Sequence, residues 1–320
     1  MDRILKFYEL VNLEKTECGI DSMWDLSIVP TYCQDLFTYL RNSDIEKLNY
    51  NLEHISLTNF TYGYDLIVLN GNDSVEIIYK ILKKLLSEMN ILPIYFENDI
   101  LDIESILKLL DTKCGFFIDF PEVFDYSANC LLTCSRGKIS SRMVYALYYV
   151  WNISMNVTNI SESSVLEIGA GTGRTAYYAY KFGFKKYTIV DILSTQIVQS
   201  HYNFNILGEN NVSLYGEDNF NKCFLNMYPS NKFNDLNETY DIICNFDGLT
   251  EYGIDIATNY LNKCMNLTKK FLSINHTLNS YTFTDLYNNN DNIKLLLKEK
   301  CDYRIDYPNL NYYKEIIEFK

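Results

Sequence analysis

Proline, histidine and tryptophan are scarce in this 320-residue chain, with five, three and two copies respectively. The composition is otherwise ordinary, 48% hydrophobic and 22% charged, which excludes collagen-like repeats and argues against long disorder. Basic residues are outnumbered, 28 Lys and Arg against 41 Asp and Glu, for a net charge of −13. Such a surface repels phosphate backbones, so nucleic acid is not expected as a partner. No window approaches 18 uncharged apolar residues, so no membrane-spanning helix is expected. The first residues, MDRILKFYEL, carry charges among their apolar positions and do not read as a signal peptide. The nine cysteines are scattered, odd in number and without a C-x-x-C pair. Cys130 and Cys134 lie closest, but no matching Cys/His pair completes a zinc site. Free thiols in a reducing cytosol, hence a cytoplasmic location, are the expectation.

What is abundant is tyrosine, 28 copies, with 18 phenylalanines and many asparagines and isoleucines. A carbohydrate-binding surface would use such rings. An A/T-rich gene would also over-supply these residues, and that plainer reading is preferred. At about 150 residues per domain, the length suggests two units.

Up to about residue 125 the pattern is mostly helical. Ile45–Ile55 has apolar residues at helical spacing behind a Ser43 or Asp44 cap, Val75–Met89 is strongly periodic, and Ile100–Leu110 is another short helix. Asp65–Asn70 is open between strand and buried turn. Ser135–Lys138 reads as a loop, and Ser140–Trp151 as a helix opened by Ser140 or Ser141. A polar stretch, Asn156–Ser164, precedes a change to alternating strands and helices. Strands are expected at 164–168, 187–190, 212–215, 240–244, 271–274, 303–307 and 313–319, and helices at 174–182, 194–207, 254–265 and 284–299. The fold class is therefore α/β: a doubly wound, Rossmann-like, seven-stranded sheet with an antiparallel last strand, behind a mostly helical N-terminal region. The corresponding division is 1–157 for the helical region with its lead-in helix, serving substrate, lid or oligomerisation, and 158–320 for the sheet.

The most informative segment is Glu167-Ile-Gly169-Ala170-Gly171-Thr-Gly173-Arg174, between the first of these strands and its helix. Glycines at such a turn let the backbone approach a ligand and aim N–H groups at its negative charge. A dinucleotide-binding fingerprint would need glycine at 174, where arginine stands, which disfavours a nicotinamide-dependent oxidoreductase. In an open α/β sheet the ligand lies outside the carboxyl ends of the strands. Asp191, Asp218 and the run from Asn245 to Glu251 would converge there.

The pattern E-x-G-x-G-x-G resembles motif I of class I S-adenosylmethionine-dependent methyltransferases. The segments YTIVD (187–191), NFDGLTEY (245–252) and FLSIN (271–275), with the Ser140-Ser141-Arg142 lead-in, are similar to those of bacterial sugar O-methyltransferases of surface-polysaccharide biosynthesis, capsule or lipooligosaccharide. That family's form after the fourth strand is Asn-x-Asp-Ser-Leu-x-Glu, and here Gly248 replaces the serine. The resemblance implies S-adenosyl-L-methionine as cofactor, held by Glu167, Gly169, Ala170, Gly171, Gly173, Asp191, Ile192, Asp218 and Asn245. Asp191 would take the ribose hydroxyls, and Asp218, or else Glu217, the adenine amine. It implies methyl transfer to a sugar or nucleotide-linked sugar hydroxyl, with oligomerisation left open.

A hydroxyl is a weak nucleophile at neutral pH, so a general base is expected, contributing roughly 10²- to 10⁴-fold in rate. His276, Asp247 and Glu251 lie at strand ends, and His276 is the first choice because histidine titrates near neutrality. Arg142, Arg174 and Tyr252 are candidate acceptor contacts, joined by Arg136 and Lys138 if the acceptor carries phosphate. His54 and His201 read as structural. A metal-assisted variant stays open, since Asp247 and Glu251 could both ligate Mg²⁺, but nothing in the sequence completes an octahedral set and no metal site is predicted. Two other readings remain: a methyltransferase acting on an amine or protein side chain, and a non-catalytic S-adenosylmethionine-binding scaffold.

Overall fold

A computed structural model describes residues 1–12, 18, 22–62, 72–91, 102–125, 131–304 and 310–320. Among its described residues the N-terminal region contains the α-helices α1 (Asp2–Val11), α2 (Val29–Tyr32), α3 (Gln34–Arg41), α4 (Ile45–Glu53), α5 (Asn72–Glu88) and α6 (Ile103–Cys114). A five-residue π-helix, Trp24–Ile28, runs directly into α2. Local chemistry sets several ends. Asp44 accepts the Lys47 N–H at the start of α4, Asp102 accepts the Ser105 N–H at the start of α6, and Gly115 closes α6 at φ 82°.

A small hairpin follows, β1 (Leu132–Cys134) and β2 (Gly137–Ile139), so that Ser135 and Arg136 form a tight turn within it. Ser140 caps α7 (Ser141–Ser154) by accepting the Met143 N–H. Helix α7 is apolar on nearly every face, and it is buried between α5 on one side and the sheet unit on the other.

The sheet unit then runs β3 (Ser164–Ile168), α8 (Arg174–Phe182), β4 (Lys186–Asp191), α9 (Leu193–Leu207), β5 (Val212–Leu214), β6 (Leu225–Pro229), β7 (Ile242–Phe246), α10 (Ile254–Cys264), β8 (Lys270–His276), β9 (Ile293–Lys300) and β10 (Tyr312–Phe319). Its order is β5-β6-β4-β3-β7-β8-β10-β9, parallel throughout except for β10, which runs against both neighbours. The chain spreads from β3 to one side through β4 and then crosses back to β7. The β3/β7 boundary is thus the switch point, where a doubly wound sheet opens a crevice.

The doubly wound parallel sheet with its antiparallel last strand is as expected, but among the described residues it holds eight strands rather than seven. Strand β6 had no reading in the sequence: it is five residues long, ends in Pro229 and lacks alternation. The helix expected over Thr284–Glu299 is instead a 3₁₀ turn, Phe283–Leu286, then a polar run and edge strand β9. Its lysines suit a sheet edge, where charge discourages pairing with other chains, and they imitate a solvated helix face. Of the strand expected at Tyr303–Tyr307, Tyr303 and Arg304 lie in a turn and its end, and the remainder, like Asp65–Asn70 and Cys130, lies outside the described residues. The eight cysteines among the described residues are unbridged.

The N-terminal region packs directly on the sheet unit. Arg3 on α1 forks onto Glu217 at 2.7 and 2.8 Å, beside β5. The segment before the hairpin crosses α8 and α9: Tyr177 donates to Asp119 at 2.7 Å, and Tyr202 to the Pro121 carbonyl at 3.2 Å.

Candidate active site

Strand β3 ends in a turn that non-glycine residues would strain. Gly169, Gly171 and Gly173 have φ of 69°, 56° and 83°, a region costing other residues about 1–2 kcal/mol each. A Cβ on Gly173 would come within 2.7 Å of Asn203 Nδ2. Asp191, at the end of β4, ties this turn down. Its Oδ2 accepts the Ala170 N–H at 3.0 Å and Gln199 Nε2 at 2.7 Å, while Oδ1 accepts the Ile192 N–H at 2.8 Å. Gln199 also donates to the Gly171 carbonyl at 2.6 Å. Burial pushes the Asp191 carboxyl up to about 7, against these hydrogen bonds. Glu167 lies beneath, buried in β3, accepting the Tyr187 hydroxyl at 2.8 Å, and burial pushes it up to about 8.

The opposite wall comes from the loop after β7. Asn245 braces it: Nδ2 donates to the Ile168 carbonyl at 2.7 Å, and Oδ1 accepts the Leu249 N–H at 3.0 Å and Asn275 Nδ2 at 2.8 Å. Here two loops nearly touch. A Cβ on Gly248 would lie 3.5 Å from Gly169 Cα and 2.9 Å from Asn245 Nδ2. The glycine at 248, where the similar family has serine, is thus a packing requirement of the switch point.

Between these walls lies a cavity of about 220 Å³. It is lined by Glu167, Gly169, Ala170, Gly171, Asp191 and Ile192 on one side, by Asp247, Glu251, Tyr252 and His276 on the other, and by Arg142 and Arg174. Twelve of the sequence-derived residues therefore meet in one place. Three of the nine residues implied for the cofactor do not line it. Gly173 sits behind the turn as the cap of α8, and Asn245 is the brace just described. Asp218 is exposed on the turn after β5, because β6 rather than β5 adjoins β4 and holds the place beside the crevice. Its neighbour Glu217 is engaged by Arg3.

Geometry separates the three base candidates. His276 Nδ1 accepts the Leu278 N–H at 3.2 Å, which leaves the neutral ring its proton on Nε2 and makes that nitrogen a donor. Burial also lowers its proton affinity. The first-choice base is therefore turned the wrong way for the task. Asp247 has φ 64°, and its Oδ2 is held by Arg304 Nη1 and by the Tyr312 hydroxyl at 3.2 Å. Its Oδ1 is buried, with no partner among the described residues. Glu251 Oε2 accepts the Trp24 indole N–H at 2.8 Å, while Oε1 has no hydrogen-bond partner among the described residues. Burial pushes Glu251 up to about 8, against the Trp24 hydrogen bond.

The arginines divide too. Arg174 is already paired with Glu122 at 3.1 Å, both side chains buried, and lies 5.0 Å from the Tyr202 ring centre. Its charge is neutralised before any ligand arrives. Arg136 lies away from the cavity, gripped by Asp111 at 2.7 and 2.8 Å, and Lys138 is exposed on β2. His201 is buried in α9 and stacks near Phe124, and His54 Nδ1 bonds the Tyr50 carbonyl at 2.8 Å.

The sequence offered no signal for Arg304, whose side chain is 1% exposed. Its guanidinium lies 4.5 Å from the ring centres of both Tyr145 and Tyr312, and Nη1 donates to the Tyr149 hydroxyl at 2.9 Å. Tyr149 stacks on Phe246 with centroids 4.1 Å apart. Cys18 and Trp24, from the far N-terminal region, also line the cavity.

No protein-family model matches the sequence, and no curated protein matches it significantly. Solved structures similar in fold include magnesium protoporphyrin IX methyltransferase from Synechocystis with bound SAM, at 8% identity over 79% of this chain and 99% of that one, TM-score 0.41. Others are ribosomal protein L11 methylase from Lactobacillus delbrueckii subsp. bulgaricus (12% identity, 57% and 80% covered, TM-score 0.38) and the cyclase SpnF (8%, 54% and 81%, TM-score 0.41).

Proposed function

We propose that this chain is an S-adenosylmethionine-dependent O-methyltransferase acting on a sugar or nucleotide-linked sugar of bacterial surface-polysaccharide biosynthesis. The observation that carries the cofactor reading is the clamp between Asp191 and the three left-handed glycines, at the switch point of the sheet. A carboxylate has about four acceptor sites, and Asp191 uses three within the chain. One remains for a ribose hydroxyl, on a residue that lines the cavity. Ala170 and Gly171 give their backbone to the same wall, and the carboxylates around it suit a cationic ligand.

When bound, the cofactor supplies an activated methyl group on a positively charged sulfur. The chain's own residues must align the acceptor hydroxyl and take its proton. Glu251 is the base best placed for this. One oxygen is fixed by Trp24, the other has no hydrogen-bond partner among the described residues, the side chain lines the cavity, and its proton affinity is matched to neutral pH. Its proton comes from the acceptor oxygen as that oxygen forms its bond to carbon. His276 Nε2–H and Arg142 are then donors that orient the acceptor's other oxygens, and Tyr149 and Phe246 offer ring faces to its apolar side. The sugar reading is supported by the similarity of the 245–252 and 271–275 segments to sugar O-methyltransferases.

The test is calorimetry with S-adenosylhomocysteine, followed by transfer of labelled methyl groups to a panel of sugars and nucleotide-sugars. Wild type should bind, and Gly171→Val should give no detectable heat, since φ 56° and a branched side chain are incompatible. Binding of a nicotinamide dinucleotide instead, or equal S-adenosylhomocysteine affinity in Gly171→Val, would sink the cofactor assignment. Transfer to amines but to no hydroxyl on the panel would sink the acceptor assignment.

A further inference from the structure

Glu251 belongs to the loop after β7, yet its surroundings are completed by a segment 227 residues earlier in the chain. The Trp24 indole N–H reaches Oε2 at 2.8 Å, and the buried Ser22 hydroxyl donates to the Glu251 carbonyl at 3.0 Å. Ser22 Oγ in turn accepts the Trp24 backbone N–H at 3.1 Å, locking the two residues together. Beyond Glu251, the Gly253 N–H is taken by the Cys18 carbonyl at 2.7 Å. This N-terminal segment is thus fastened on both sides of Glu251, and Trp24 and Cys18 form cavity wall themselves.

We infer that Trp24 is a positioning residue that orients Glu251 and favours its charged form, so that the N-terminal segment sets the pH at which the site's base works. The kinetic side of this inference rests on the methyl-transfer reading above; the Trp24–Glu251 linkage does not. An indole N–H is a donor only, so it bonds the carboxylate more strongly than the protonated acid and cannot accept the acid's proton. A hydrogen bond given to the charged form favours that form. By occupying Oε2 it also leaves Oε1 as the oxygen that faces an acceptor.

The other charged and titratable groups around Glu251 pull in both directions. Asp247, on the same loop, and Asp191, at the end of β4, disfavour its charge, while Arg142 on α7 favours it. Tyr281 lies close by, but its hydroxyl is committed to the Leu249 and Tyr252 carbonyls at 2.9 and 2.7 Å. Burial, the largest influence, pushes Glu251 up to about 8. Trp24 is the strongest of the influences opposing it, so losing the indole should carry the carboxyl further from neutrality.

The chain has two tryptophans, so Trp151→Phe leaves Trp24 as the sole indole emitter. In that background Trp24 emission should titrate with a midpoint of about 8, and the transition should vanish when Glu251→Gln is added. In the methyl-transfer assay, Trp24→Phe should move the acid limb of the pH–rate profile upward by roughly one pH unit. The rate at neutral pH should then fall about tenfold, with the two enzymes converging at high pH. A residue that merely filled space would lower the rate equally at every pH. Flat Trp24 emission across the range, or a transition that survives Glu251→Gln, overturns the linkage, and so does an unmoved acid limb. If Trp24→Phe does not fold, the emission titration alone decides. Absence of methyl transfer to every acceptor, with the titration present and lost in Glu251→Gln, would overturn the methyl-transfer reading and leave the linkage standing.

Discussion

A carboxylate that accepts three N–H bonds at the end of a parallel strand has two tasks at once, and Asp191 shows how they combine. It holds the Ala170 amide, and through Gln199 the Gly171 carbonyl, so it shapes the turn that a ligand would meet. Its remaining acceptor site is charged only when the proton is off. Burial has raised that proton's affinity to about 7. If the ionised form binds the ribose, S-adenosylhomocysteine affinity should weaken as the pH falls below about 7. Asp191→Asn is isosteric but removes the charge and replaces one of the two accepting oxygens with a donor, so it gives up at least one of the three N–H bonds as well. It should weaken binding by about 1.5–3 kcal/mol above neutrality, the range for a hydrogen bond to a charged group. It should also abolish the pH dependence. Calorimetry at pH values on both sides of neutrality checks both statements, and a pH-dependent affinity retained in the variant would place the titrating group elsewhere.

At the scale of elements, what could be read in the sequence and what could not follows from how local each signal is. The glycine turn, the Ser140 and Asp44 caps and the carboxylate closing β4 are set by residues within a few positions of one another. Trp24 meets Glu251, and Arg304 meets Asp247, only because the chain returns from far away, and no spacing rule carries that. Strand β9 failed for another reason. IKLLLKEK places charge and leucine together in a pattern that serves a solvated helix or a sheet edge equally well. The edge reading makes a sharp prediction. Leu296 is 43% exposed on β9, whereas Ile317 on the neighbouring β10 is fully buried. Leu296→Lys should change stability by no more than about 0.5 kcal/mol. Ile317→Ala should cost about 2–5 kcal/mol. Urea unfolding distinguishes them, and a large loss in Leu296→Lys would mean that this face is covered.

Over the whole molecule, the charges that make the cavity suitable for a cation also burden the fold. Glu167 and Asp191 are buried and Glu251 is half-buried, and desolvation raises them to about 8, 7 and 8, whereas in an unfolded chain they would ionise near pH 4. Between those limits the native state holds more protons than the unfolded state, so stability falls as pH rises. His201 and His276 act in the opposite sense: burial lowers both, and their effect is complete once the pH exceeds the ordinary histidine value of about 6.5. From there to about pH 8.5 the carboxylates stand alone among these five groups, and the net charge of −13 adds self-repulsion in the same direction. The melting temperature should therefore decline over that interval. Glu167→Gln keeps an acceptor for the Tyr187 hydroxyl and removes one buried charge. The variant should already melt above wild type at about pH 6.5 and by a wider margin at about pH 8.5, flattening the slope. Parallel slopes in a thermal scan would show that Glu167 ionises in the folded protein as readily as in the unfolded chain, and that its burial under the glycine turn carries no such penalty.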